Sequence, residues 1–149
     1  MKCDGRSGRP ALDGGQDMRL FCYGTLQYPE IMEQVSGNHY AGLPVVLRNY
    51  ACYTVRGEVF PGIVPEPGAR TRGVVYNGLG TAQLQRLDAF ESDFYVRRRV
   101  VVSDADERPL QAWTYLVRPE AHDVLSDEPW DRNLFELLHL QAFLRKYTG

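Results

Sequence analysis

A chain of 149 residues has room for one domain and one hydrophobic core, and would be cramped with two. Hydrophobic residues make up 44% and charged residues 24%, ordinary proportions for a globular protein that folds without metal or disulfide support. A formal net charge of −2 is too weak a field to imply nucleic acid or membrane as a partner, and no run approaches the roughly 20 apolar residues needed to span a bilayer.

Residues 1–17 mix three acidic residues, three basic residues and four glycines and lack the apolar middle of a signal peptide. They read as a flexible tail ahead of a single domain over residues 18–149. Arg19–Tyr23 reads as a short strand that stops at Gly24. Glu30–Val35 suits a short helix, with Pro29 at its first position and Gly37 near its end.

Val45–Leu47 and Tyr50–Val55 are rich in strand formers. Phe60–Gly68 carries three prolines and two glycines, so regular structure is not expected there; it reads as a shaped loop or an edge strand. Gly73–Tyr76 reads as a further strand. Thr81 is placed to cap a helix from Ala82 to about Ala89, with Leu84 and Leu87 on one face.

Tyr95–Ser103 and Leu110–Val117 form two strands joined by a hairpin loop over Asp104–Pro109. In the first, Arg97 and Arg99 share one face and Arg98 takes the other, so the three arginines make no single basic patch. A last helix begins near Pro129, with Leu134, Leu137, Leu138 and Leu144 as its buried stripe. This order lacks regular strand–helix–strand alternation and points to an α+β domain around a strongly curved or closed sheet.

Several chemistries are absent. The histidines His39, His122 and His139 have no metal-ligand spacing, and no HExxH, GxSxG, GxxxxGK[ST] or GxGxxG occurs. Cys3, Cys22 and Cys52 form neither a CxxC pair nor an even set, which fits reduced thiols in a cytoplasmic protein. Cys22 reads as a small buried hydrophobe rather than a nucleophile.

Two segments depart from bland packing. Tyr23-Gly24-Thr25-Leu26 ends a strand on a glycine, which can leave successive amide N–H groups open to a carboxylate or oxyanion; an ordinary strand-to-helix turn is the alternative. Glu91 closes a helix beside Phe90, Phe94 and Tyr95. The helix dipole and aromatic neighbours would both raise its pKa toward the range of a proton shuttle. The alternative is a solvated glutamate paired with Arg97 or Arg98.

Taken together, YGTL, then LDxFE and YxR some 65 residues later, resemble the gamma-glutamylcyclotransferase-like superfamily, and its AIG2-like branch in particular. Phe60–Pro65, Gly73–Tyr76, Ala112–Tyr115 and the helix from Trp130 to Leu144 resemble further elements of that branch. The resemblance spans Arg19 to Tyr147.

It implies an α+β fold, a small mixed β-barrel flanked by helices. It also implies a cyclisation in which a γ-glutamyl compound releases 5-oxoproline and an amine or amino acid, an acyltransferase or lyase chemistry needing no cofactor. Glu91 would be the general acid/base. Tyr23, Gly24, Thr25, Leu26, Gln27 and Tyr28 would hold the substrate, with Tyr95 and Tyr115 as pocket walls or hydroxyl donors. The segment Gln27-Tyr28-Pro29 stands where the γ-glutamylamine-type enzymes carry a lysine, so the resemblance does not name the leaving group. A non-catalytic small-molecule-binding or regulatory module, and a γ-glutamyl deprotecting enzyme of a biosynthetic pathway, remain open as alternatives.

Overall fold

The computed structural model describes residues 18–148; the expected tail, and Cys3 with it, lies outside them. In chain order the elements are β1 (Met18–Cys22), a 3-10 turn (Thr25–Gln27), α1 (Pro29–Ser36), β2 (Gly42–Val55) and β3 (Pro61–Leu79). They continue with α2 (Thr81–Phe90), β4 (Tyr95–Ser103), β5 (Pro109–Val117) and a 3-10 stretch (Pro119–Val124). β6 (Leu125–Pro129), α3 (Arg132–Leu138) and α4 (Leu140–Thr148) complete them.

Five strands close into a barrel. Their order is β3-β1-β5-β4-β2, and β2 pairs back onto β3 from Gly42↔Tyr76 to Thr54↔Pro61. β1 runs parallel to β5, with Leu20 opposite Trp113, and the other pairings are antiparallel, so the barrel is mixed. β6 adds to the end of β2 at Tyr53 and Val55.

The alternation of side chains across β1 sorts two cores. Phe21 joins Val45, Leu47, Ile63, Val75, Val100, Val102 and Ala112, a cluster drawn from all five strands that fills the barrel. Leu20 and Cys22 face the other way and pack with Ile31 and Met32 of α1 and Leu84 and Leu87 of α2. Burial on both faces explains why this strand is almost wholly apolar.

Four expectations change. Phe60–Gly68 is no loop: from Pro61 it belongs to β3, whose first residues pair only with β2. A proline costs no ladder bond on an unpaired edge, which makes the edge-strand alternative the correct one. The cap of α2 is Gly80 rather than Thr81, and the Gly80 N–H donates to Gln83 Oε1 at 3.1 Å.

The segments Val45–Leu47 and Tyr50–Val55 are one strand, bulged at Asn49, whose φ is 68°. The last helix is two, broken at His139, and Pro129 ends β6 instead of opening a helix. Its proposed stripe holds only at Leu144, which packs against the core: Leu134, Leu137 and Leu138 are 50%, 79% and 60% exposed, while Phe135 is buried at 2%. The inward face is an aromatic one, running Phe135, His139, Phe143 at four-residue spacing, with Phe135 also packed on Tyr28 and Trp130.

No helix among the described residues is long and apolar enough to cross a membrane. The 3-10 stretch and β6 carried no readable signal in the sequence.

Candidate active site

A cavity of about 380 Å³ opens where the end of β1, the start of β3 and the end of α2 meet. Glu91 lines it together with Tyr23, Gly24, Thr25, Leu26, Tyr95 and Tyr115. Helix α2 is anchored by buried Leu84 and Leu87. At Glu91 the chain leaves the helix in an extended conformation, with the Glu91 N–H still donating to the Leu87 carbonyl. The side chain is half-buried, and burial followed by the Asp88 charge pushes its carboxyl up to about 8.

Both arginines that the sequence offered to Glu91 go elsewhere, Arg98 donating from Nη1 to the Arg97 carbonyl at 3.2 Å. Arg97 Nε and Nη2 donate to the two carboxylate oxygens of Asp88 at 2.8 and 3.1 Å, and the Tyr115 hydroxyl donates to the same carboxylate at 2.6 Å. Burial works against that carboxylate, but the Arg97 and Tyr115 hydrogen bonds outweigh it and hold Asp88 below the usual range. A fixed negative charge therefore stands one helical turn before Glu91.

The Tyr23–Leu26 loop, which lines the same cavity, is pinned by its carbonyls. Tyr76 donates its hydroxyl to Leu26 O at 2.8 Å, and Gln27 Nε2 donates to Tyr23 O at 2.8 Å. The N–H groups of Gln27 and Tyr28 close the 3-10 turn onto Gly24 O and Thr25 O, which leaves those of Thr25 and Leu26 at its start without an intrahelical acceptor.

Gly24 makes room for a close approach: a Cβ there would stand 3.0 Å from Pro61 Cδ, tight enough that the ring would have to shift. The Pro61 carbonyl in turn accepts the Tyr95 hydroxyl at 2.5 Å. Pro61 thus links the two sides of the cavity, a role its sequence neighbourhood did not reveal.

Gln27 and Tyr28 do not reach this cavity. Gln27 is buried beneath the loop, and Tyr28 points to Glu136, donating at 2.8 Å. Tyr95 and Tyr115 are walls whose hydroxyl hydrogens are committed to Pro61 and Asp88. Cys22 is buried and its thiol is pushed well above its ordinary pKa by burial, then by Glu91, which leaves it protonated.

Sequence reasoning assigned no role to Asp88, although its spacing from Glu91 and Arg97 was visible. It also missed Glu58 and Lys146, brought to the cavity from the β2–β3 turn and from α4. Among the described residues no group of three His, Cys, Asp or Glu side chains is placed to hold a metal.

Residues 20–132 match the family described as "Gamma-glutamyl cyclotransferase, AIG2-like". The chain belongs to that family. Among its relatives, AIG2-like protein C of Arabidopsis thaliana is 32% identical over 127 residues, covering 84% of this chain and 69% of that protein.

The solution structure of At3g28950.1 from Arabidopsis thaliana has the same fold at a TM-score of 0.71 and 23% identity, covering 92% of this chain and 83% of that one. A structure titled "Gamma-glutamyl cyclotransferase" matches at a TM-score of 0.61 and 17% identity, covering 90% and 88%. Membership of the AIG2-like family supports a gamma-glutamyl cyclotransferase-like function for this chain.

Proposed function

We propose that this AIG2-like chain cyclises a γ-glutamyl compound, with Glu91 as general base and then general acid. The observation that supports the reading is that Glu91 and the Tyr23–Leu26 loop line one and the same cavity. In the reaction the substrate's α-nitrogen bonds to its γ-carbonyl carbon. The bond from that carbon to the leaving nitrogen breaks, giving 5-oxoproline and a free amine or amino acid.

Proton management fits the site. The α-nitrogen must first lose a proton as an ammonium, which holds its proton far more tightly than an ordinary carboxylic acid does. A carboxyl pushed up to about 8 narrows that mismatch. The same proton then passes to the departing nitrogen.

The amides of Thr25 and Leu26, which have no acceptor within the turn, are suited to hold the substrate's carboxylate or the oxygen that gains charge during attack. The five-membered ring closure is intramolecular, so positioning and proton transfer are the whole of the task. One proton-transferring carboxyl typically contributes ~10²–10⁴-fold.

The test is release of 5-oxoproline from a panel of γ-glutamyl amino acids and γ-glutamyl amines. Glu91→Gln is expected to lower the rate ~10²-fold or more with an unchanged circular dichroism spectrum. Product formation by the Glu91→Gln protein at the parental rate would reject Glu91 as the proton carrier. Release of a γ-glutamyl group to water, without ring formation, would assign the deprotecting chemistry instead.

A further inference from the structure

The motif Pro65-Glu66-Pro67-Gly68 takes no part in the cavity around Glu91, yet the chain spends length on it. In the β2–β3 register Arg48 faces Arg70 and Tyr50 faces Pro65, so Asn49 alone stands opposite four residues, Glu66 to Ala69. The excess is held in shape. Asn49 Oδ1 accepts the Gly68 N–H at 3.0 Å, with Asn49 and Gly68 both in left-handed conformations at φ 68° and 86°, and Thr71 donates to the Tyr50 carbonyl at 2.9 Å. Large bulges of this kind re-aim side chains rather than merely lengthen a hairpin.

What this bulge builds is the wall of a second cavity, of about 500 Å³. The β6–α3 junction lines it too, through Trp130, Arg132 and Asn133. Tyr53 and Cys52 of β2 line it as well, and Tyr23 and Gln27 reach it from the back of the loop that bounds the Glu91 cavity.

The charge in this second cavity runs against that of the whole chain. Three arginines, Arg70, Arg72 and Arg132, line it with one acidic residue, Glu66, in a protein of net charge −2. Glu66 accepts the Tyr53 hydroxyl at 2.6 Å and Arg132 pairs with Glu136 at 3.1 Å. The guanidinium groups of Arg70 and Arg72 have no hydrogen-bond or ion-pair partner among the described residues.

Arg70 and Arg72 are two residues apart on one strand and share a face, well within a Debye length of each other. Both are exposed on the cavity wall, and two neighbouring guanidinium groups without a partner among the described residues are suited to meet the oxygens of an anion from outside. The Trp130 ring and the Asn133 amide supply an apolar surface and a hydrogen-bonding group for the rest of such a molecule.

We infer that this second cavity binds a small organic anion, whose carboxylate or phosphate oxygens meet Arg70 and Arg72 and whose body lies against Trp130. The inference does not depend on Glu91 or on turnover.

The test is isothermal titration of the full chain at low ionic strength with two probes, inorganic pyrophosphate for phosphate oxygens and citrate for carboxylates. At least one probe is expected to bind saturably at one per chain, and the stronger of the two names the oxyanion. Arg70→Gln/Arg72→Gln is expected to weaken it tenfold or more, while Glu91→Gln leaves it unchanged. In parallel, the bound probe is expected to slow phenylglyoxal modification of Arg70 and Arg72 in the parent chain, read by mass spectrometry, which needs no variant to fold. No saturable binding of either probe, equal affinity in the double variant, or unprotected arginines would each overturn the inference. A loss of 5-oxoproline formation in Glu91→Gln says nothing against it.

Discussion

Asp88 sits at the junction of three elements: its own helix α2, Arg97 of β4 and Tyr115 of β5. Its carboxylate keeps its charge through those partners and places that charge beside Glu91, the second cause of the raised Glu91 carboxyl after burial. Asparagine at this position can still accept the Tyr115 hydroxyl but carries no charge.

Removing a negative neighbour lowers an acid's pKa. In Asp88→Asn the rise of 5-oxoproline formation with pH is therefore expected to begin at lower pH than in the parent, by roughly one unit or less. A profile that keeps its midpoint while losing height would mean that Asp88 matters only for packing. Arg97 also lies over the Trp113 ring at 4.7 Å, with Arg99 on the same ring at 4.9 Å, so the arm that holds Asp88 is itself held.

Among the elements, α3 shows how a single aromatic outweighs three leucines. Asp131 caps the helix, its Oδ1 accepting the Leu134 N–H at 3.1 Å, and Phe135 then fills a space bounded by Tyr28, Trp130 and Phe143. Truncation by Phe135→Ala is expected to cost ~3–5 kcal/mol in denaturant unfolding. Leu137→Ser, on the exposed face, is expected to stay within about 0.5 kcal/mol. The reverse ranking would restore the leucine stripe.

At the other end of the fold, Gly24→Ala pushes a methyl group against the Pro61 ring. It is expected to cost about 1–3 kcal/mol through overpacking. It should also raise KM for a γ-glutamyl substrate, because the Pro61 ring it displaces belongs to the residue whose carbonyl holds the Tyr95 hydroxyl.

For the whole molecule, Glu91 links the site to stability. Its carboxyl is pushed from 4.5 to about 8 by folding, so between those values the folded chain holds a proton that the unfolded chain releases. Stability contributed at low pH is therefore lost as pH rises through that window. Glu91→Gln cannot ionise and escapes the loss. Above pH 8 it is expected to be more stable than the parent by on the order of 2 kcal/mol, less than the full shift because solvent reaches the carboxyl from the cavity. Below about pH 4.5 the two should match. Denaturant midpoints at pH 4 and pH 9 measure both ends, and equal midpoints at pH 9 would remove the energetic basis for a proton-carrying Glu91.

The short-range pattern was enough for β1, α1, α2, β4 and β5, because each is set by local propensity and punctuation: Gly24, Pro29, Gly37 and the hairpin at Asp104. It singled out Glu91 and the Tyr23–Leu26 loop separately, as element ends where backbone and charge are locally unusual; only the resemblance to the AIG2-like branch joined them into one proposal. What lay beyond it was set by contacts distant in sequence. Whether Pro61–Pro65 forms a strand depends on β2 being alongside with its other edge unneeded. Which side of α3 turns inward depends on Tyr28, more than 100 residues earlier. Which acid keeps Arg97 depends on how α2 lies across β4 and β5. Spacing along the chain cannot decide these, because the energies belong to surfaces that exist only once the barrel has closed.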